Sequence, residues 1–279
     1  MVDQIPTNRD TLRVAADERN NRIIGRPKMV DSTVQFIGNN NILYFESEGI
    51  LLENSSIVFK GENSVVVIRK SATPLRLCIV IYNDSAVHIG KNVWTTNRLE
   101  LNAGEAKHII IGNDVLLGSQ CMVRTTDSHM LYSIESMSRI NKGKSVFIGD
   151  HVWLAARVVL LKGARLYSGC IVGCDSVIAG KEISSNTVWA GNPARLVKSD
   201  VFFDKEGTHG LRAEQQEKDS AAYDDVRNYI FEGEEGAKNF QFLDKKLTEA
   251  ENADARLNFL LEMTDLKDKN RFAKRTDIS

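Results

Sequence analysis

The residues best suited to chemistry in this sequence are a short polar run, Asp127-Ser128-His129, and a tryptophan downstream, Trp153. An imidazole titrates near neutral pH, so His129 could take a proton from an attacking hydroxyl group. Asp127 could orient that imidazole, or it could cap a turn of the backbone. Ser128 lacks the nucleophile elbow of serine hydrolases, so a serine nucleophile is not expected. The first hypothesis is therefore general-base chemistry at His129.

A six-residue repeat surrounds these residues and predicts how they are positioned. Aliphatic side chains open consecutive hexads from Ile148 to Ile178, and the fifth position is small or β-branched in each until Glu182. The same pattern occurs upstream at Ile111, Leu117 and Val123, with weaker copies at Ile89 and Ile37. Three hexads close one turn of a triangular coil, so that parallel strands stack and bury the aliphatic positions. We predict a mainly β fold, a left-handed parallel β-helix over residues 30–199.

The repeat is interrupted directly after the polar run. A hexad that opens at Val123 should be followed by another at residue 129, but the pattern resumes only at Ile148. The segment 129–147 is therefore an insertion, and His129 opens it. Loops that leave a solenoid often carry function, although a tolerated surface insertion is the alternative.

The composition changes on either side of the predicted solenoid. Residues 1–29 form an N-terminal segment that has room for a short helix. Residues 200–279 are highly charged, and the spacing of their apolar residues predicts an α-helical extension. The carriers of this spacing are Leu243, Leu247, Ala250, Leu257, Leu260 and Leu261, with a shorter helix expected at Ala222–Ile230 and a turn at Glu232–Gly236. The apolar stripe is expected to pack within the chain or the oligomer; a separate protein partner is the alternative.

Bulk properties argue against several classes of protein. A formal net charge of -1 and a pI near 6.5 argue against a nucleic-acid-binding protein. No apolar run is long enough for a membrane helix, and the charged N-terminus does not resemble a signal peptide. The four cysteines form no CxxC pair, which is typical of free thiols in a reducing compartment. A cytoplasmic protein is expected.

The order of the motifs resembles that of a known family. Asp127–His129, the inserted loop, IGDHVW at Ile148–Trp153 and AGNPARLVK at Ala190–Lys198 follow one another as in the hexapeptide-repeat acyltransferases. The bacterial capsule and polysialic acid O-acetyltransferases are the most similar. The resemblance covers about residues 85–198 and does not include the helical tail. It implies acetyl-CoA as the donor, a homotrimer with active sites between subunits, and His129 as the catalytic base.

The resemblance also implies where the donor and the acceptor would bind. Trp153 would belong to the active site, with packing against a neighbouring subunit as the alternative. Small residues on the outside of the coils would admit the pantetheine arm, and basic side chains would meet the phosphates. The donor-site candidates are Ala155, Lys162, Ala179, Gly180, Lys181, Trp189, Arg195 and Lys198. Trp94, in a weaker hexad, is expected to be structural.

The inserted loop would line the acceptor site of such an enzyme. The candidates for acceptor binding in the loop are Tyr132, Arg139 and Asn141. Arg139 could contact an acidic sugar, although a solvated loop arginine explains it equally well.

A metal site is a competing explanation for the histidines. His88, His108, His129 and His151 are spaced 20, 21 and 22 residues apart, roughly one turn of the coil each. Carbonic anhydrases with this coil need three histidines that converge on one zinc ion. The sequence has no His-x-x-x-x-His pair, and His151 belongs to the common IGDHVW motif. No metal is therefore expected.

Together these features predict an acetyl-CoA-dependent O-acetyltransferase that acts by direct transfer on a sugar hydroxyl of a bacterial surface glycan, such as a capsular polysaccharide. Two alternatives remain. One is an N-acyltransferase on a nucleotide-linked amino sugar, which uses the same base and donor. The other is a non-catalytic β-helix scaffold whose helical tail binds a partner. A scaffold has no need of Asp127–His129, Trp153 and AGNPARLVK together.

Overall fold

Short parallel strands stack into three sheets in the computed structural model, which describes residues 17–214, 229–263 and 268–275. Each regular turn of the chain passes through the three sheets in the order I, II, III before it returns to sheet I one layer further on. The predicted parallel β-helix is therefore confirmed. A separate parallel pair, β2 (Lys28–Val30) and β5 (Leu51–Glu53), belongs to the first turns.

The strands of each sheet stack along the coil axis in the order of the chain. Sheet I comprises β1 (Arg22–Ile24), β4 (Ile42–Phe45), β7 (Val65–Ile68), β9 (Ala86–Ile89), β12 (His108–Ile111), β15 (Val146–Ile148), β18 (Arg165–Leu166) and β21 (Glu182–Ile183). Sheet II comprises β10 (Trp94–Thr95), β13 (Leu116–Leu117), β16 (Trp153–Leu154), β19 (Ile171–Val172), β22 (Val188–Gly191) and β23 (Ala194–Lys198). Sheet III comprises β3 (Thr33–Phe36), β6 (Ser56–Phe59), β8 (Leu77–Ile81), β11 (Leu99–Ala103), β14 (Met122–Arg124), β17 (Val159–Leu161) and β20 (Val177–Ala179).

The hexad positions form the core of the coil. The first and fifth residues of each hexad from Ile148 to Ser176 are fully buried in a continuous interior column. Glycine at the second position has a steric cause, because a Cβ on Gly90 would lie 2.1 Å from the carbonyl oxygen of Gly112 on the next turn. The glycines at these corners therefore let successive turns approach closely.

The two ends of the coil differ from what the sequence pattern predicts. The ladder begins at Arg22, earlier than the boundary at residue 30 expected from the sequence. Near the other end, Ile183 takes the buried position that strict hexad spacing gives to Ser184, and Glu182 is exposed. The last turn is one residue shorter than its predecessor, because Leu166 pairs with both Ile148 and Ile183.

Two helices after the solenoid pack on the outer face of sheet I. They are α1 (Glu235–Glu249) and α2 (Ala253–Met263), so the predicted helical extension is confirmed. Their apolar sides cover outward-facing residues of sheet I, including Val67, Ile110 and Phe147. The stripe is therefore buried within this chain. The shorter helix expected at 222–230 and the one expected at the N-terminus fall mainly outside the described residues.

Within the described ranges, no helix has both the length and the apolar character that crossing a bilayer requires.

Candidate functional site

The inserted loop leaves the coil at the corner between sheets III and I. Ile111 pairs with Ile89 and with Ile148, so the turn that carries the loop takes 37 residues where the preceding one takes 22. The loop spans residues 125–145, between β14 and β15. Phe147, which hexad spacing placed in the insertion, belongs to β15. The functional candidates of the loop thus project from one corner of a rigid ladder.

His129 stands at the start of this loop with an exposed side chain. The preceding residue, Ser128, has a φ of +70°, in the left-handed region, and its N–H donates to Thr126 Oγ1 at 3.2 Å. This turn directs the chain away from the coil. No described residue hydrogen-bonds to the imidazole, so both ring nitrogens are available to a substrate.

Asn141 fixes the backbone around His129. Its side-chain nitrogen donates to the His129 carbonyl oxygen at 2.7 Å and to Asp127 Oδ2 at 2.9 Å. Its side-chain oxygen accepts from Leu131 N–H at 2.8 Å. With 6% of its surface exposed, Asn141 acts as a buried clamp across the base of the loop. It was expected to line the acceptor site, and this amide is instead engaged within the loop.

Asp127 contacts the clamp rather than the imidazole. Its carboxylate accepts from Asn141 and forms an ion pair with Lys162, whose ammonium also donates to the Asn141 carbonyl oxygen at 3.1 Å. The hydrogen bond from Lys162 holds the pKa of the Asp127 carboxyl below its usual value. Of the two roles expected for Asp127, the structure favours one that shapes the turn. Lys162, a candidate for the donor phosphates, is engaged in this pair.

A second ion pair fastens the loop to the neighbouring turn. Arg139 donates from one guanidinium nitrogen to both carboxylate oxygens of Glu105, each at 2.8 Å. Glu105 also accepts from Thr126 Oγ1 at 2.5 Å and from Gly143 N–H at 3.0 Å. Although burial opposes ionisation, these donors lower the pKa of Glu105 to about 2. The sequence alone did not identify Glu105, because its partner Arg139 lies far away in the chain, in the inserted loop. The one feature that could have indicated it is an acidic side chain at a predicted corner of the coil.

The outer part of the loop is apolar and exposed. Tyr132 and Arg139 form an antiparallel bridge, and Tyr132 is 58% exposed. Ile134, at 95% exposed, is the extreme case. The other exposed apolar side chains are Met130, Leu131, Met137 and Ile140. Several exposed apolar side chains on one loop are typical of an interface.

Trp153 lies on sheet II, in β16, and faces outward. It is 41% exposed, and its ring lies 5.7 Å from that of Phe203 in the segment after the solenoid. Sheet II is the side of the triangular coil opposite the corner that carries the loop, because each turn visits the three sheets in order. One chain therefore does not bring Trp153 and His129 together.

A cavity of about 800 Å³ lies over sheet II beside Trp153. Its floor includes Trp94, Leu116 and Trp153, and its outer wall is the segment 203–209. Trp94 was expected to be structural, but 49% of it is exposed and it faces this cavity. The hexad pattern could not predict this position of Trp94. It indicates which side chains point into the core, but it carries no information about the contacts of side chains that point outward.

His151 holds the outer wall of the cavity in place. Its ring stacks on Phe203, with 4.1 Å between centroids, and on Tyr229, with 4.5 Å. Its Nε2 donates to the Phe203 carbonyl oxygen at 3.0 Å. Burial lowers the pKa of His151. This histidine of the IGDHVW motif therefore packs a segment that lies beyond the repeat.

The structure divides the other donor-site candidates between separate surfaces. Ala179, Gly180 and Lys162 stack at the corner between sheets III and I, above the loop, whereas Ala155 follows β16. The remaining candidates lie at the end of the coil: Trp189, Arg195 and Lys198 in the β22–β23 hairpin, and Lys181 beside it.

Lys181 connects the last turn to that hairpin. Its ammonium donates to the Ala194 carbonyl oxygen at 3.0 Å and lies 5.9 Å from the centre of the Trp189 ring. Ala194 itself is fully buried at the end of the core. Arg195 and Lys198 are exposed. They are thus accessible to a phosphate, whereas Lys181 closes the end of the solenoid.

The histidines do not converge in the described part of the chain. His88 and His108 lie on the outer face of sheet I beneath the helices, His151 packs under Phe203, and His129 is in the loop. No group of three or more histidine, cysteine, aspartate or glutamate side chains among the described residues is arranged to hold a metal ion.

Comparisons with known proteins assign the class of this molecule. No protein-family model matches the chain. The polysialic acid O-acetyltransferase of Neisseria meningitidis is 32% identical over 173 residues, which are 62% of this chain and 80% of that protein. A putative lipopolysaccharide biosynthesis O-acetyltransferase of Escherichia coli K12, WbbJ, is 27% identical over 44% of this chain and 77% of its own length.

The fold leads to the same group of proteins. The crystal structure of the polysialic-acid-specific acetyltransferase NeuO superposes with a TM-score of 0.61 at 26% identity, over 72% of this chain and 93% of that one. The repeat, the inserted loop and these similarities together define a hexapeptide-repeat acetyltransferase, and the chain belongs to that family. Within the family it is similar to the polysialic acid O-acetyltransferases.

Proposed function

We propose that this acetyltransferase uses acetyl-CoA to acetylate a sugar hydroxyl of a bacterial surface glycan, a capsular or related polysaccharide, with His129 as the general base. Similarity to O-acetyltransferases named for polysialic acid and for lipopolysaccharide biosynthesis supports a sugar acceptor. The same names favour O-acetylation over N-acylation of an amino sugar. The four free cysteines agree with a cytoplasmic enzyme.

The observation that carries the proposal is an accessible imidazole on a rigidly held backbone. The ring of His129 is exposed, while its carbonyl oxygen is bound by the buried Asn141. A general base must reach the proton that it removes and must be held in the correct orientation. The clamp supplies the position without occupying the ring nitrogens.

The mechanism is a direct transfer. When bound, acetyl-CoA supplies a thioester whose carbonyl carbon is the electrophile. His129 accepts the proton of the acceptor hydroxyl while the hydroxyl oxygen bonds to the carbonyl carbon of the thioester. The carbon–sulfur bond then breaks, and the imidazolium of His129 returns the proton to the departing sulfur. Backbone N–H groups or the indole N–H of Trp153 stabilise the charge that develops on the carbonyl oxygen.

A complete site requires more than one copy of the chain. Because His129 and Trp153 of one chain lie on opposite sides of the coil, His129 would meet the Trp153 of a neighbour in a homotrimer. The exposed apolar surface of the loop, from Met130 to Ile140, is suited to contact that neighbour.

The donor would lie along the corner above the loop and the end of the coil. Gly180 leaves its surroundings open, since a Cβ there would approach nothing closer than the Lys162 carbonyl oxygen at 3.8 Å. Together with Ala179 at the same corner it allows the pantetheine arm close to the backbone. Arg195 and Lys198, which are exposed, fit the donor phosphates.

The test is the release of thiol from acetyl-CoA in the presence of bacterial oligosaccharides. His129→Ala should lower kcat about 10²- to 10⁴-fold, the contribution of a general base, and should retain acetyl-CoA binding. Glu135→Ala, at an exposed position of the same loop, is the matched control and should keep wild-type turnover. Full turnover by the His129 variant would rule out this mechanism.

A further inference from the structure

We propose that Glu105 is a positioning residue for the general base, which it holds through hydrogen bonds that lead to the peptide units on both sides of His129. This inference rests on the proposed function and deepens it, because it names the group on which the placement of the base depends. Glu105 lies after β11, at the corner between sheets III and I, one turn of the coil before the inserted loop.

The backbone at this corner has an unusual conformation. Glu105 has a φ of +59° and Ala106 has a φ of +51°, so two successive residues adopt the left-handed region. Among the described residues, they are the only neighbours in sequence that both have a positive φ. The region is costly for residues other than glycine, asparagine and aspartate. Backbone strain of this kind is concentrated at functional sites, and here it accompanies a carboxylate that contacts the loop.

Hydrogen bonds to the carboxylate join the two ends of the loop. Oε1 of Glu105 accepts from Thr126 Oγ1 at 2.5 Å, where the chain enters the loop. Oε2 accepts from Gly143 N–H at 3.0 Å, where the chain leaves it. Arg139, within the loop, donates to both oxygens at 2.8 Å. One side chain of the neighbouring turn therefore ties the entry and the exit of the loop together.

The contact with Thr126 leads to the peptide unit before His129. The Thr126 hydroxyl has one proton, which it donates to Glu105. Its oxygen is thereby oriented to accept from the N–H of Ser128 at 3.2 Å. Ser128 has a φ of +70° and immediately precedes His129, so this hydrogen bond holds the turn that directs the base away from the coil.

The contact with Arg139 leads to the peptide unit after His129. Nε of Arg139 donates to Asn141 Oδ1 at 3.3 Å, while a terminal nitrogen of the same guanidinium is held by Glu105. Asn141 in turn donates to the His129 carbonyl oxygen at 2.7 Å. Both peptide units that flank the base are therefore connected to one carboxylate.

The coil itself does not depend on this carboxylate. The side chain of Glu105 is 29% exposed, and the ladder beside it is formed by the backbones of β11 and β14. Leu101 and Ala103 of β11 fill the core without it. A partly exposed ion pair contributes little to global stability. Removal of the carboxylate should therefore displace the base and leave the solenoid folded.

The experiment measures the transfer of radiolabelled acetyl groups from acetyl-CoA to a panel of bacterial oligosaccharides. Glu105→Ala should lower kcat about 10- to 100-fold, with the KM for acetyl-CoA changed less than about threefold, because small misplacements of a base are costly. Glu105→Gln keeps the length of the side chain and one acceptor oxygen, so it should recover part of the loss. Glu100→Ala, at an exposed position of β11, is the control and should keep wild-type kcat.

A double variant separates the placement of the base from a loss of folded protein. His129→Ala leaves no base to place, so adding Glu105→Ala to it should lower the residual rate no further. A general loss of folded enzyme would lower that residual rate by the same factor as in the single variant. Denaturant unfolding of Glu105→Ala should have nearly the wild-type midpoint.

The outcomes distinguish this inference from the function on which it rests. Wild-type kcat in Glu105→Ala, or a further loss of about tenfold in the double variant, overturns the positioning role, while turnover that depends on His129 leaves the proposed function intact. Full turnover by His129→Ala overturns the proposed mechanism and this inference with it.

Discussion

Two additions to the regular coil, the inserted loop and the C-terminal helices, are attached to it by opposite kinds of interaction. The loop at residues 125–145 is fastened by ion pairs and amide hydrogen bonds, and it leaves its apolar side chains exposed. The helices α1 and α2 bury their apolar side chains against sheet I. We infer from this difference that the loop presents the chemistry and that the helices stabilise the coil.

The helical side is an aromatic core in its own right. Phe240 of α1 is fully buried and stacks on Phe147, Tyr167 and Phe272, with centroids 5.1, 5.2 and 4.9 Å away. The helix begins tightly against the coil, because a Cβ on Gly236 would lie 2.8 Å from the Tyr167 ring. A region packed in this way has little freedom to move.

A buried ion pair holds the last described segment, residues 268–275, against the corner of the coil that follows β15. Arg271 donates to both oxygens of Asp150 at 2.8 and 2.7 Å, and Arg271 is 4% exposed. Asp150 also accepts from the Asn113 N–H at 2.7 Å. Such a pair specifies the position of the segment more than it adds stability.

The largest expected effect concerns the aromatic core. Phe240→Ala should lower the free energy of unfolding by about 3–5 kcal/mol, because it removes a buried ring and leaves a cavity. Denaturant unfolding measures it. Phe242→Ala, on the same helix but 51% exposed, should cost far less. Equal losses in the two variants would show that α1 is not held by this stack.

The polar clamp of the loop gives the next effect. Asn141→Ala should reduce kcat about 10- to 100-fold, because the backbone of His129 loses its fixed position and small misplacements are costly in catalysis. The acceptor KM should change much less, and Asn141→Gln should not restore kcat fully, since its longer side chain shifts the amide. Wild-type kcat in Asn141→Ala would contradict a positioning role, and Glu135→Ala again serves as the control.

The smallest effect is a dependence of stability on pH, caused by two buried histidines beneath the helices. Burial lowers the pKa of His88 and of His108 to about 3. The unfolded chain therefore binds more protons than the folded one, and stability that is complete above the ordinary histidine pKa falls as the pH decreases. Between pH 6.5 and 5, each of these two histidines should lower the free energy of unfolding by about 1.5 kcal/mol.

The check is the free energy of unfolding across that interval for wild type and for His108→Gln. The variant should show a shallower decline, since one of the buried imidazoles no longer gains a proton on unfolding. An identical decline would mean that His108 is not held neutral in the folded state. Carboxylates contribute little to this slope because their ordinary pKa values lie below the interval.

Sequence periodicity was sufficient for the parts of the fold that repeat. Hexad spacing correctly placed Ile148, Leu154 and Leu160 in the core, because the solenoid uses one local rule on every turn. The spacing of the leucines in α1 and α2 predicted the helical extension in the same way. The early turns were less regular. There the pattern predicted β-strands of a solenoid but did not predict where each strand begins and ends.

The interactions of the site were not accessible to the same reasoning. Asn141 and Arg139 were recognised as loop residues, but their partners, such as Glu105, lie on another turn, and periodicity carries no information about outward contacts. The exposure of Trp94 beside the cavity was not foreseen for the same reason. The shortening at Ile183 depends on how the last turn closes, which no local pattern specifies.

The most direct test of the account is the identity of the product. The protein is incubated with acetyl-CoA and a panel of bacterial oligosaccharides, and the product is analysed by mass spectrometry before and after mild alkali. The account predicts one or more acetyl groups on the sugar that mild alkali removes, as expected of an ester, and almost none with His129→Ala. An alkali-stable acetyl group, or undiminished product with the variant, would contradict an O-acetyltransferase that depends on His129.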